Sequence, residues 1–295
     1  MPKRKRAEAG PHQAMDDTNE VHKAAAKDHP SQPTEEAPPT QSYEIPLDDS
    51  NKKIPCIRHG APTGPALIFT HGVGGGISSP AMQHFAEGFA PIAPVAYFQG
   101  NMNLTSRVKM FNAMRQGSNE DYLALGGRSM GARAAVLAAL EKPLMNDGGD
   151  DGGKAKLILV SYPLTAGKDG GAREPERREQ ILLDLPDEVE VLFVCGSRDK
   201  QCDMKFLGEV RGRMRARSWL IEVVGADHGM ECRPKNRTEE IRRMSGRCAA
   251  EWLVGGKRDV ERRFCEVRVG EDGVVVSGAW VTERSERVAD ATDDE

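Results

Sequence analysis

Short, branched apolar runs alternate with helix-like stretches through the middle of this chain, and that alternation leaves few folds open. The runs are Ile54–Ile57, Ala66–Thr70, Ala93–Phe98, Tyr122–Leu125, Lys156–Val160, Val189–Cys195 and Trp219–Val224. Each has strand length and is rich in residues that suit a pleated, buried surface. Between most of them lie Pro80–Phe89, Ser106–Gln116, Met130–Leu140, Glu176–Leu183, Met204–Met214 and Thr238–Leu253. In the last stretch Ile241, Met244, Cys248 and Trp252 recur at helical spacing and make one buried face. A helix between strands carries the chain back to the starting edge, so successive strands run parallel. The pattern predicts an α/β fold with a mainly parallel sheet and helices on both faces.

The flanks read differently. Residues 1–42 hold almost no large apolar side chains and many Pro, Glu, Gln, Thr and Ala, so they cannot bury enough surface to offset ordering entropy. A disordered arm over 1–42 and one folded domain over 43–256 are predicted. Arg263–Val269 and Val274–Val281, joined by a Gly-containing turn, read as a hairpin appended at 257–281. Residues 282–295 carry six acidic groups against Arg284 and Arg287 and read as a solvated acidic tail. Asn146–Gly153 and Gly167–Glu174 are Gly/Asp-rich surface loops by composition.

Composition excludes several function classes. The apolar fraction of 38% becomes roughly 47% once Gly is counted and Tyr is not, within the globular range. The net charge of −4 argues against bulk nucleic-acid binding. The longest apolar run, Ala134–Leu140, is far short of the ~18 residues of a membrane span. Six cysteines lie scattered with no C-x-x-C pair, and Pro2–Arg6 precedes no apolar stretch, so no secretory signal is read. An intracellular protein, cytoplasmic or nuclear, is expected. Lys3, Arg4, Lys5 and Arg6 form a basic patch suited to nuclear import or an acidic protein partner. Arg211, Arg213, Arg215 and Arg217 read as the solvated side of a helix whose apolar face is Phe206, Leu207, Val210 and Met214. Asp147, Asp150 and Asp151 match no calcium loop, and neither a metal nor a cofactor is predicted.

The chemistry begins at Gly127-Arg128-Ser129-Met130-Gly131. It follows an apolar strand and opens an Ala-rich helix, as a nucleophile elbow requires. So tight a turn needs small residues two before and two after the nucleophile, and Gly127 and Gly131 supply them. The helix N-terminus favours developing negative charge near Ser129. A second signal, His71-Gly72-Val73-Gly74-Gly75-Gly76, follows the strand Ala66–Thr70. It lacks the Lys-Ser/Thr of a phosphate loop, and the dinucleotide pattern fails at Ile77. The amide of Val73, with that of Met130, is a candidate oxyanion hole, and His71, Gly72 and Gly74 are candidate supports.

A triad also needs a base and an acid. Asp199 follows the strand Val189–Cys195 and His228 follows Trp219–Val224, both at strand ends where open α/β sheets place their sites. The order Ser129, Asp199, His228 is that of α/β-hydrolases. Asp203 is a rival acid, and Asp199 could instead only cap the helix that follows. Tyr97, Phe98, Met102 and Tyr162, at or just past strand ends, are candidates to line an apolar acyl pocket.

Taken together, Thr70–Gly76 (THGVGGG), Gly126–Arg133 (GGRSMGAR), Ser161–Leu164 (SYPL) with Gly167 and Lys168, Cys195–Asp199 (CGSRD) and Gly225–Met230 (GADHGM) resemble an α/β-hydrolase-like family. It is the family of testis-expressed protein 30 and the third subunit of the NSL chromatin complex, with dienelactone-hydrolase-like bacterial relatives. The resemblance covers about residues 64–254. It implies a compact α/β-hydrolase fold without a large cap domain. Two functions follow. One is a serine hydrolase acting on a small carboxylic ester, lactone or thioester through Ser129, His228 and Asp199. The other is a non-catalytic interaction module of this fold, as in a nuclear complex. The long N-terminal arm and the C-terminal hairpin depart from the family pattern.

Overall fold

The computed structural model describes residues 39–47, 51–61, 66–117, 122–142, 155–165, 178–255, 261 and 263–282. The basic patch, most of the predicted arm and of the acidic tail, and the loops Asn146–Gly153 and Gly167–Glu174 lie outside these residues. In chain order the strands are β1 (Thr40–Pro46), β2 (Lys53–His59), β3 (Ala66–Thr70), β4 (Val95–Phe98), β5 (Tyr122–Arg128), β6 (Ala155–Val160), β7 (Val189–Gly196), β8 (Arg217–Val223), β9 (Phe264–Val269) and β10 (Val275–Ser277). The α-helices are α1 (Pro80–Phe89), α2 (Leu104–Gly117), α3 (Met130–Glu141), α4 (Gln180–Leu183), α5 (Met204–Arg213) and α6 (Thr238–Val254).

All ten strands join one sheet, ordered β1-β2-β4-β3-β5-β6-β7-β8-β9-β10. From β4 through β9 every pairing is parallel. The edges are antiparallel: β1 on β2, β2 on β4, and β10 on β9. Burial explains the sequence pattern. All residues of β6 and β7 are buried, so both read as continuous apolar runs rather than alternations. Helices α2, α3 and α5 pack on one face, where Phe111 meets Phe98 edge-on. Helices α1 and α6 pack on the other, where Trp252 lies against Trp219 with ring centroids 5.7 Å apart.

Two expectations change. The sheet begins at Thr40, inside the predicted arm, because β1 pairs along its whole length with β2. The C-terminal hairpin is not an appendage. Its first strand, β9, pairs parallel to β8 and extends the central sheet, and Cys265 and Val267 are buried against α6. Its parallel partner is distant in sequence, so the local hairpin pattern gave no hint of it. No helix among the described residues is long and apolar enough to cross a membrane.

Candidate active site

The loops after β3, β4, β5, β7 and β8 emerge at the carboxyl ends of parallel strands and converge there. Between β5 and α3, Ser129 takes φ 53° and ψ −115°, a left-handed backbone rare for a side-chain-bearing residue. Two glycines make the turn feasible. A Cβ on Gly127 would stand 2.3 Å from the Gly131 carbonyl carbon, and one on Gly131 would stand 2.4 Å from the Thr70 oxygen. The Ser129 amide donates to the Val160 carbonyl at 2.9 Å, tying the turn to β6.

The loop after β8 delivers His228 to this serine. Its Nε2 lies 2.9 Å from Ser129 Oγ, and its Nδ1 lies 3.0 and 2.9 Å from the two Asp199 carboxylate oxygens. With the carboxylate on Nδ1, the proton sits there, and Nε2 is free to accept from the Ser129 hydroxyl. The Asp199 side chain is fully buried, and the Gln201 amide donates to its Oδ1 at 2.8 Å. Asp203 instead caps α5, accepting from the Phe206 amide at 2.8 Å. The rivalry between the two aspartates is therefore resolved by position: one faces the imidazole and the other a helix end. The histidine loop is shaped by Asp227, whose Oδ1 accepts from the amides of Gly229 and Glu231.

The glycine loop after β3 is held from below. His71 is buried; its Nδ1 donates to the Gly72 carbonyl at 2.7 Å, and its Nε2 accepts from the Gly100 amide at 3.0 Å. That pairing selects the neutral Nδ1–H ring. Arg107, fully buried on α2, donates to the carbonyls of His71, Gly72 and Asn101. Burial pushes its guanidinium down to about 10, still charged at neutral pH. A side chain at Gly72 would fit tightly, since its Cβ would come within 3.2 Å of both Ser129 Cβ and Arg128 Nη1. Gly74 needs its glycine for a different reason, a φ of 74°. Val73 is 61% exposed in this loop, and Met130 is the first residue of α3.

The pocket residues divide. Met102 is 64% exposed in the loop after β4. Tyr97, Phe98 and Tyr162 lie in the core instead. Tyr97 bonds to His59 Nε2 at 2.6 Å on the α1/α6 side, Phe98 packs on Phe111, and Tyr162 donates to the Arg178 carbonyl at 2.7 Å beside Phe193. Strands buried on both faces send alternate side chains into one core or the other, so lying near a strand end did not bring these rings to the opening. Arg107, Arg128 and Arg242 were missed. Arg107 carried a signal: it shares a helix face with Val108, Phe111 and Met114, where a charge needs a buried partner. Among the described residues no group of three or more His, Cys, Asp or Glu is arranged to hold a metal ion.

Burial lowers His71 and His59 below the ordinary 6.5, and Arg107 adds to the effect at His71. Below that value the unfolded chain takes up protons that the folded chain refuses. Stability therefore rises with pH through this window and is lost as pH falls below about 6.5. The melting temperature is expected to be lower at pH about 5.5 than at pH about 7.5. A profile flat across that interval counts against neutral, buried imidazoles at both positions.

Comparison with known proteins adds to this geometry. A family model described as "Alpha/beta hydrolase domain" matches residues 101–254, just over half of the chain. The fold is similar to that of an alpha-beta serine hydrolase homologue from Coxiella burnetii, with TM-score 0.51 and 16% identity over 70% of this chain and 96% of that one. It is similar to a dienelactone hydrolase from Anabaena variabilis, with TM-score 0.54 and 14% identity over 75% and 100%. A carboxylesterase from Bacillus subtilis gives TM-score 0.53 and 12% identity over 74% and 93%. At these identities the likeness is one of fold.

Proposed function

The chain belongs to the alpha/beta hydrolase domain family, and from that premise we propose that it is a serine hydrolase of small carboxylic esters, lactones or thioesters. The observation that carries this reading is the unbroken relay from Ser129 Oγ through His228 to the Asp199 carboxylate, each step at 2.9–3.0 Å. His228 Nε2 takes the hydroxyl proton as Ser129 Oγ bonds to the substrate's carbonyl carbon. The negative charge that develops on the carbonyl oxygen is held by the amides of Val73 and Met130. His228 then gives its proton to the departing alkoxide or thiolate, leaving an acyl-serine. Water, deprotonated by the same imidazole, releases the acid. Asp199 keeps the ring oriented and stabilises the imidazolium. Roughly 60 residues separate Ser129 from Val189 and must hold the rest of α3, β6 and α4, which leaves little length for a cap and favours small substrates.

A fluorophosphonate probe tests this directly. Purified wild-type protein is expected to be labelled, with phosphorus bonding to Ser129 Oγ and fluoride leaving. Ser129→Ala and His228→Ala are expected to lose the label. A folded wild-type chain that takes no label overturns the hydrolase reading. It favours instead a non-catalytic interaction module, the role implied by the resemblance to the chromatin-complex branch of this family.

A further inference from the structure

We propose that Arg128 and Arg242 are positioning residues that clamp the histidine loop against the nucleophile, a role that rests on the hydrolase reading. Arg128 Nη2 donates to the His228 carbonyl at 2.6 Å. Arg242 Nη2 donates to the next carbonyl, that of Gly229, at 2.9 Å. Two consecutive carbonyls of the base-bearing loop are thus held by guanidinium groups from separate elements, the end of β5 and the face of α6. Charge-assisted bonds of this kind are stronger than neutral ones.

The place of Arg128 in the chain gives the contact its meaning. It is the residue directly before Ser129. Its guanidinium spans from the elbow to the histidine loop, and its Nη1 also lies against Gly72 of the glycine loop, 3.2 Å from where a Cβ would stand. A displacement of the His228 loop away from the serine would have to break this bond first. The loop's own bonds do not replace it. Asp227 closes the turn internally, through Gly229 and Glu231, and fixes its shape but not its distance from Ser129. A flat, forked guanidinium reaches a carbonyl beside a small cavity that it lines with Phe69, Phe85 and Met230, which a tetrahedral ammonium does less well.

The arginines also set the local charge. Arg128 lies among the charges of Arg242, Asp199, Asp227 and Glu231, and Arg242 among those of Glu231 and Asp227.

The test uses the full chain with Arg128→Met, Arg128→Lys and Arg242→Met. The rate constant for fluorophosphonate labelling is measured from pH about 5 to 9, with kcat and KM for p-nitrophenyl acetate alongside. Arg128→Met is expected to label roughly 10- to 100-fold more slowly, the penalty of a loosened base. The loss should fall on kcat rather than KM. Arg242→Met should move in the same direction by less, and Arg128→Lys should recover part of the rate. If Arg128→Met does not fold, the other two variants decide. Folded variants that label at the wild-type rate overturn the clamp alone. So does a loss that only follows the unfolded fraction, with kcat per folded molecule unchanged, which would mark a purely structural role. An unlabelled wild-type chain overturns the hydrolase reading and the clamp with it.

Discussion

Asp199→Asn is expected to lower kcat for ester hydrolysis by about 10³- to 10⁴-fold while leaving the fold intact. The substitution is nearly isosteric, and the hydrogen-bond pattern determines how the amide sits. The Gln201 amide donates to Asp199 Oδ1 at 2.8 Å, so the asparagine oxygen must remain at that position. Its nitrogen then occupies the place of Oδ2, 2.9 Å from His228 Nδ1. An NH₂ there opposes the Nδ1 proton at the shorter distance, although the oxygen 3.0 Å away still accepts from it, and the ring proton shifts towards Nε2. Nε2 can then no longer accept from Ser129, and the base is lost without any change in shape. Steady-state kinetics beside a melting curve check this. An Asn variant within tenfold of wild type would mean that the tautomer argument is wrong. The Asp203→Asn variant is expected to keep both its rate and its stability, because asparagine caps a helix about as well as aspartate.

The largest effect on stability is expected at the crossing of α1 and α6, independently of any activity. A Cβ on Gly88 would stand 1.9 Å from the Arg243 carbonyl oxygen, and one on Gly246 would stand 2.1 Å from the Phe85 oxygen. Each clash is with backbone, so no side-chain rotation relieves it. On propensity alone, Gly→Ala inside a helix gains about 1 kcal/mol. Overpacking a closed contact costs about 1–3 kcal/mol, and more where helices must separate. The second effect wins, and either substitution is expected to lose about 2 kcal/mol net, a fall of roughly 4–8 °C in a domain of this size. Gly208→Ala in α5 is the control. Its Cβ would meet nothing within 4 Å, so the propensity gain stands alone and the melting temperature should hold or rise slightly. Equal melting temperatures for Gly88→Ala and Gly208→Ala would refute the close crossing.

Several features were legible from residue order because they are local. The strand–helix alternation predicted a mainly parallel sheet, and β4 through β9 pair that way. Gly127 and Gly131 marked the turn at Ser129 because a backbone at φ 53° between a strand and a helix tolerates nothing larger beside it. His228 stood out among the seven histidines by following a strand in the right order after Ser129 and Asp199.

Other features depend on residues far apart in the chain. Asp199 is the expected acid on paper and Asp203 its rival, four positions apart on one loop. The histidine loop chooses between them, reaching one carboxylate while the other turns to the Phe206 amide. Tyr97, Phe98 and Tyr162 were expected at the opening and lie in the core, because the side a strand residue faces depends on what covers each face of the sheet. The hairpin was visible, but its parallel pairing with β8 was not. Arg107 and Arg128 bond to carbonyls 36 and 100 residues away, contacts with no spacing rule behind them. By itself, then, the sequence determined the fold class and the tight turn at Ser129, since periodicity and backbone sterics act between near neighbours. Only the tertiary structure decided which acid faces the base, which rings leave the opening and which cations hold the loops, because each of those outcomes depends on surfaces that exist only once distant segments have packed.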